Sequence, residues 1–196
     1  MSHRLVLVIG PSGAGKDSVL EGMRANWPFA QPAHFARRTI TRPVKPDDEQ
    51  HEAVDAARFE QLLVAQAFAM HWQANGLSYG IRRAELEPLD AGHWLFVNGS
   101  RAYLPQVLQA WPQATVVHIG ASRDVLAQRL ARRGRETEDE VAMRLSREVP
   151  LCLPAHVVSI ENNGSLASAL DALQQALKIR ELEALTSIKA PATVFF

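Results

Sequence analysis

The stretch Leu5-Val6-Leu7-Val8-Ile9-Gly10-Pro11-Ser12-Gly13-Ala14-Gly15-Lys16-Asp17-Ser18 decides the fold. Its first five residues are all apolar, as a strand buried on both faces requires. The glycine-rich turn that follows ends in a lysine and opens the helical pattern of residues 16–26. Strand, G-x-x-x-x-G-K and helix, in that order, is the context in which such a turn binds phosphate. Glycines let backbone N–H groups converge on an anion at the positive end of a helix dipole. Lys16 then reaches the β- and γ-phosphates as a point charge. The whole turn from Gly10 to Ser18 is therefore the candidate ATP-binding loop.

One position is irregular. Such loops carry Ser or Thr after the lysine to help hold Mg²⁺, and here that residue is Asp17, with the hydroxyl one place later at Ser18. A carboxylate is a good hard ligand for Mg²⁺, and beside a triphosphate it would be costly without a metal to neutralise it. An acidic residue in a first helical turn is also favoured by the dipole alone. Both readings stand, with Asp17 and Ser18 the candidate metal ligands and MgATP the expected donor.

Working outward, short apolar runs recur at Trp94–Asn98, 115–119 and 156–160, and helical patterns lie at 101–110, 122–132, 138–148 and 165–177. Strand alternating with helix predicts an α/β fold, a doubly wound parallel sheet. Residues 35–80 break the rhythm with Pro43, Pro46, the turn Asp47-Asp48-Glu49, a short helix near 55–65 and a strand at 68–72. They are expected to form an inserted acceptor-binding module, with 1–34 and 81–196 as the core. The charge-rich stretch 129–144 is the candidate lid, bounded at about 133–145. Beyond Leu177 the pattern weakens, and 189–196, with Pro191, reads as a loose tail.

The bulk properties set limits on partners. The length of 196 residues suits one domain with a real core. Twenty-one basic residues balance 21 acidic ones, so net charge gives no support to a nucleic-acid or membrane partner. The single cysteine, Cys152, excludes an intrachain disulfide and a Cys-rich zinc site, and reads as a small buried apolar residue. No stretch approaches a membrane span or a signal-peptide core, so the chain reads as cytoplasmic.

The segments around the loop carry a family resemblance. Thr39-Ile40-Thr41-Arg42-Pro43-Val44-Lys45, then Phe59, then Tyr79-Gly80-Ile81 resemble the substrate module of guanylate kinases. The stretch Arg129-Leu130-Ala131-Arg132-Arg133-Gly134-Arg135-Glu136, followed by Arg144-Leu145, resembles their lid. A sister family, the ribose 1,5-bisphosphate phosphokinases, is matched more closely. Its features are Gly15-Lys16-Asp17-Ser18, residues 39–43, the region Glu49 to Glu52, Trp72 with Gly76-Leu77-Ser78-Tyr79-Gly80, Val97-Asn98-Gly99-Ser100-Arg101 and Arg133-Gly134-Arg135-Glu136. That resemblance implies ATP-dependent conversion of ribose 1,5-bisphosphate to 5-phosphoribosyl 1-diphosphate in phosphonate breakdown. One departure is Asn75, where the family implies His.

The residues argue against guanine as part of the acceptor. The resemblance places a hydroxyl four residues before Arg42 and a carboxylate near 70–72; the sequence has Arg38 and Met70-His71-Trp72. A sugar bisphosphate instead offers two phosphates and no base. Arg37, Arg38, Arg42 and Lys45 supply cations within nine residues, and arginine is the natural bidentate partner of phosphate. Strand alternation turns Arg37 and Arg38 to opposite sides, and Arg38 is in register with Arg42. By resemblance, His51 stands where a tyrosine helps bind acceptor phosphate, Tyr79 adds a hydroxyl, and Asn98 replaces an aspartate while still able to bond a sugar hydroxyl. Expected acceptor-binding residues are thus Arg38, Arg42, Lys45, His51, Tyr79 and Asn98.

Phosphoryl transfer needs alignment and charge neutralisation more than covalent chemistry. The expected catalytic residues are Lys16 and the lid arginines Arg133, Arg135 and Arg144, whereas Arg129, Arg132 and Arg147 read as surface or helix-pairing charges. Asn163, in Asn162-Asn163-Gly164, is the expected adenine contact. Two alternatives remain open from sequence: a guanylate kinase-type nucleoside monophosphate kinase, and a non-catalytic binding module of that type.

Overall fold

The computed structural model describes residues 2–44, 51–132 and 157–189. In chain order the elements run β1 (Leu5–Ile9), α1 (Lys16–Ala25), β2 (Ala33–Phe35), β3 (Arg38–Ile40), β4 (Glu52–Ala53), α2 (Ala56–Val64), β5 (Phe68–Ala74) and β6 (Leu77–Arg82). Then come α3 (Glu87–Asp90), β7 (Trp94–Asn98), α4 (Leu104–Ala110), β8 (Thr115–Gly120), α5 (Arg123–Arg132), β9 (Val158–Glu161) and α6 (Leu166–Lys189). Expectations for the helix at 138–148, the lid, Cys152, Lys45, Arg133, Arg135 and Arg144 fall outside the described residues.

A five-stranded sheet, in the order β2-β7-β1-β8-β9, is parallel throughout. Its central strand explains the unbroken apolar run that opens the chain. Leu5, Leu7 and Ile9 pack into one core with Leu95, Leu104 and Val107, while Val6 and Val8 pack into another with Val19, Met23, Leu173 and Leu177. Successive side chains on a strand point to opposite faces, so covering both faces demands apolar residues at every position. The β1 strand delivers its loop at the carboxyl edge of the sheet, between β7 and β8, where open parallel sheets bind ligands.

A second, four-stranded sheet runs β4-β3-β6-β5. Its hairpin β5–β6 turns at Asn75 and Gly76, whose φ angles are 52° and 73°. Two successive left-handed residues make the turn that matches strand twist, and Asn tolerates that conformation well. The local backbone thus accounts for Asn75. Met70, Ile81 and Ile40 join this sheet to the same core as Leu5 and Leu7.

Strand β2 and helix α6 differ from expectation. The edge strand β2 was not anticipated, because Ala33-His34-Phe35 is only half-buried and offers no apolar run; it is fixed by pairing with β7 and by Phe35 stacking on Phe96 at 4.7 Å. Helix α6 continues through Lys189, well past the point where the pattern weakens. Up to Leu177 it buries Ala169 and Leu173, and beyond that Ile179, Leu182 and Leu185 are exposed. The second half is held by polar ties at Glu181, which bonds His3 at 3.1 Å and Arg4 through both of its oxygens. No helix among the described residues is long and apolar enough to cross a membrane.

Candidate active site

The loop after β1 is shaped by its glycines and braced from behind. Gly15 caps α1 with φ 88° and no side-chain cap, so the first N–H groups of the helix stay open to a ligand. A Cβ on Gly15 would stand 2.5 Å from Asn162 Nδ2, and one on Gly10 would collide with the Ile119 carbonyl. Buried Asn162 donates from Nδ2 to the Ala14 carbonyl at 2.8 Å, and Arg129 donates to the same oxygen at 3.3 Å. Arg129 is therefore no surface charge, contrary to expectation. It reaches back from α5 and helps set the loop. Lys16 Nζ donates to the Gly10 and Pro11 carbonyls, each at 3.0 Å, which holds its charge at the mouth of the loop.

A cleft of about 600 Å³ opens in front of this loop. Lys16 and Asp17 line it from the loop, Arg38, Arg42, Trp72 and Tyr79 from the smaller sheet, and Asn98, Arg101 and Arg123 from the central sheet and α5. Tyr79 stacks on Trp72 at 5.6 Å with planes 1° apart, and the Arg38 guanidinium lies over the Tyr79 ring at 5.7 Å. Among the described residues, five cations and one carboxylate face this space, which makes it a receptor for multiply charged anions.

The lone carboxylate is Asp17. It accepts from Asn98 Nδ2 at 2.6 Å and lies 3.6 Å from Arg38. Asn98 is 3% exposed, and its Oδ1 has no hydrogen-bond partner among the described residues. A partly exposed carboxylate beside an unsatisfied amide oxygen supplies hard oxygens of the kind that fit Mg²⁺, an ion bound through few protein oxygens plus substrate phosphates. Ser18 lies apart from this pair. It lines a smaller cavity of about 410 Å³ behind the loop, with Gly13, Arg129, Asn162 and Gly164. Asn163 ties β9 to α5 by accepting the Ser122 N–H at 2.6 Å.

The remaining expected contacts divide sharply. Arg38, Arg42, Tyr79 and Asn98 converge on the cleft. Arg37 does not: its guanidinium donates to the His51 carbonyl at 3.2 Å. His51, 1% exposed, turns inward and donates from Nε2 to the Arg42 carbonyl at 2.9 Å. Its place is behind Arg42, fixing that residue's backbone, and it is absent from the cleft wall. Glu52 accepts from Arg82 Nε and Nη2 at 3.0 and 2.6 Å and from Thr39 Oγ1 at 2.6 Å, which knits β4, β3 and β6 together.

Sequence reasoning missed Asn162, Arg101 and Arg123 as site residues. Asn162 adjoins the chosen Asn163, and only the fold shows which of the two amides meets the loop. Arg101 stood in a quoted motif, but nothing in the linear pattern shows that it faces the cleft. Burial holds its pKa below the ordinary guanidinium value. Burial, then the charge of Arg101, also lowers His118 from 6.5.

A P-loop, a parallel sheet that presents it at its carboxyl edge, and a cationic cleft define a P-loop kinase. The chain belongs to the guanylate kinase family, whose profile matches residues 2–180. It is 40% identical over 175 residues to ribose 1,5-bisphosphate phosphokinase PhnN of Agrobacterium fabrum, covering 89% of this chain and 96% of that protein. A relative of the same name from Pseudomonas paraeruginosa is 41% identical over 176 residues, covering 88% and 94%. Another, from Janthinobacterium sp., is 45% identical over 181 residues; there the match covers 89% of this chain but only 40% of the longer relative. The fold is also that of guanylate kinase from Anaplasma phagocytophilum, with a TM-score of 0.62 at 17% identity over 89% of this chain and 84% of that one.

Proposed function

We propose that the protein transfers the γ-phosphoryl group of ATP to ribose 1,5-bisphosphate, giving 5-phosphoribosyl 1-diphosphate and ADP. The observation that carries this reading is the composition of the cleft. Its only carboxylate among the described residues is Asp17, already held by Asn98 and Arg38, and an aromatic wall of Trp72 and Tyr79 stands on the acceptor side. A carboxylate is the strong acceptor for guanine N–H groups, and none besides Asp17 lines the cleft among the described residues, whereas cations for a second phosphate are abundant. The names of the relatives at 40% and 41% identity support the same acceptor.

In this reading an oxygen of the acceptor's 1-phosphate attacks the γ-phosphorus, the bond from γ-phosphorus to the bridging oxygen breaks, and ADP departs with that oxygen. The attacking oxygen is already anionic, so no general base is required. The backbone N–H groups at Gly15 and Lys16 hold donor phosphate, and Lys16 leaves its loop carbonyls to neutralise charge on the transferred group. Arg38 and Arg42 orient the acceptor, and His51 acts through Arg42. Asp17 and Asn98 would hold Mg²⁺, which neutralises phosphate charge when bound. Arg133, Arg135 and Arg144 are proposed to complete the charge shell, Lys45 to add to the acceptor site, and Ser18 and Asn163 to border the nucleotide. The reaction is proposed to run in the cytoplasm, where ATP is supplied.

Following the reaction by phosphorus NMR tests this directly. Ribose 1,5-bisphosphate and MgATP should yield a diphosphate on C1 together with ADP in equal amounts. ATP consumption without that product contradicts the reading.

A further inference from the structure

Arg101 reaches the cleft from the central sheet, just after β7, while Arg38 and Arg42 reach it from the smaller sheet. It is half-buried, yet it has no hydrogen-bond or ion-pair partner among the described residues. Its neighbours in the cleft are differently placed. Arg38 shares Asp17, Lys16 is bonded to loop carbonyls, and Arg123 is exposed. Burying a guanidinium without a counter-charge is costly, so such a group is retained where an anion arrives to meet it. We propose that Arg101 is the receptor for the acceptor's second phosphate, acting across the cleft from Arg38 and Arg42. The assignment rests on the bisphosphate reading above.

On this assignment the site selects by charge: a monophosphate engages one set of cations, whereas an acceptor with a phosphate at each end engages Arg101 as well as Arg38 and Arg42. Ser100 and Asn98 flank Arg101 in the same wall and offer polar atoms to the sugar between the phosphates. Among the described residues, no carboxylate beside Arg101 in that wall competes for the guanidinium. Burial of Arg101 in the free protein, which lowers its pKa, agrees with a charge waiting for its partner.

The test compares wild type, Arg101→Gln and Arg101→Lys in steady-state kinetics with ribose 1,5-bisphosphate and MgATP, alongside thermal unfolding. A charge-assisted contact of this kind predicts an acceptor KM raised about tenfold or more in Arg101→Gln. Arg101→Lys should recover part of that loss, and the KM for ATP should stay within about twofold of wild type. Removal of an unpaired buried charge should leave Tm unchanged or raise it, an outcome a structural role would not give. An unchanged acceptor KM in Arg101→Gln, or a matching rise in the KM for ATP, overturns the assignment alone. Failure of wild type to turn over the bisphosphate overturns the functional reading, and this assignment with it.

Discussion

At Asp17 an amide and a guanidinium meet one carboxylate, and the chemistry of the cleft turns on that meeting. Replacing it by asparagine removes the only acid that lines the cleft among the described residues while keeping its shape. Asp17→Asn should lower kcat by about 10–100-fold and raise the Mg²⁺ needed for half-maximal rate; an unchanged Mg²⁺ dependence would remove the metal role. Asn162 makes a different kind of contribution, since its amide braces the loop from behind. Asn162→Ala should cost about 1–3 kcal/mol of stability, because a buried carbonyl loses its better partner. It should also raise the KM for ATP more than that for the acceptor; equal changes in both would mean that the brace does not act through the loop. The loop residues, Arg38 and Arg42 were legible because motif spacing and strand register act along the chain, and Asn98 was legible through the family resemblance. His51 and Asn162 were not. A side chain's direction depends on the strand or loop that folds over it, and no linear pattern records that His51 turns to Arg42.

At the scale of elements, the smaller sheet depends on one half-buried polar knot. Arg82, by its bonds to the Glu52 carboxylate, and then Thr39 hold the Glu52 pKa below 4.5 against the opposing effect of burial. A depressed folded-state pKa means that the unfolded chain binds the proton more readily. Glu52 therefore contributes its full stability above about pH 4.5 and loses it as the pH falls below that value. Denaturant unfolding across that acid range should show wild type losing stability steeply and Glu52→Gln losing less, from a lower starting point near neutrality. Parallel curves would contradict the knot's role. This sheet shows where the sequence was readable. Strand β5 was foreseen from its apolar alternation, with Met70 and Trp72 facing the core. Strands β2 and β4 were not, being three and two residues long and stabilised by partners far away in the chain.

Across the whole molecule, the parallel sheet fixes the loop, the smaller sheet brings arginines to it, and α6 locks the chain's first residues to its last described helix. Glu181 receives both His3 and Arg4. Burial alone would raise its pKa, but the bonds from Arg4 and His3 outweigh that and hold it below 4.5. Glu181→Ala leaves Arg4, with a side chain 12% exposed, without its counter-charge. It should lower stability by about 2 kcal/mol, measured by thermal unfolding, and leave kcat unaltered. A loss of activity at unchanged stability would contradict a purely structural clasp. The α/β architecture was legible because β1 and its loop are local and strongly patterned; the extent of α6 was not, because its last turns rest on a tie to the opposite end of the chain. The central claim is that this cleft was built for a sugar with two phosphates. The most direct test is the ratio of kcat/KM for ribose 1,5-bisphosphate and for GMP, measured with MgATP on the same preparation. The expected ratio is on the order of a hundred or more in favour of the bisphosphate, since no carboxylate besides Asp17 lines the cleft among the described residues to accept from the guanine N–H groups. Robust phosphorylation of GMP with no turnover of the bisphosphate would contradict it.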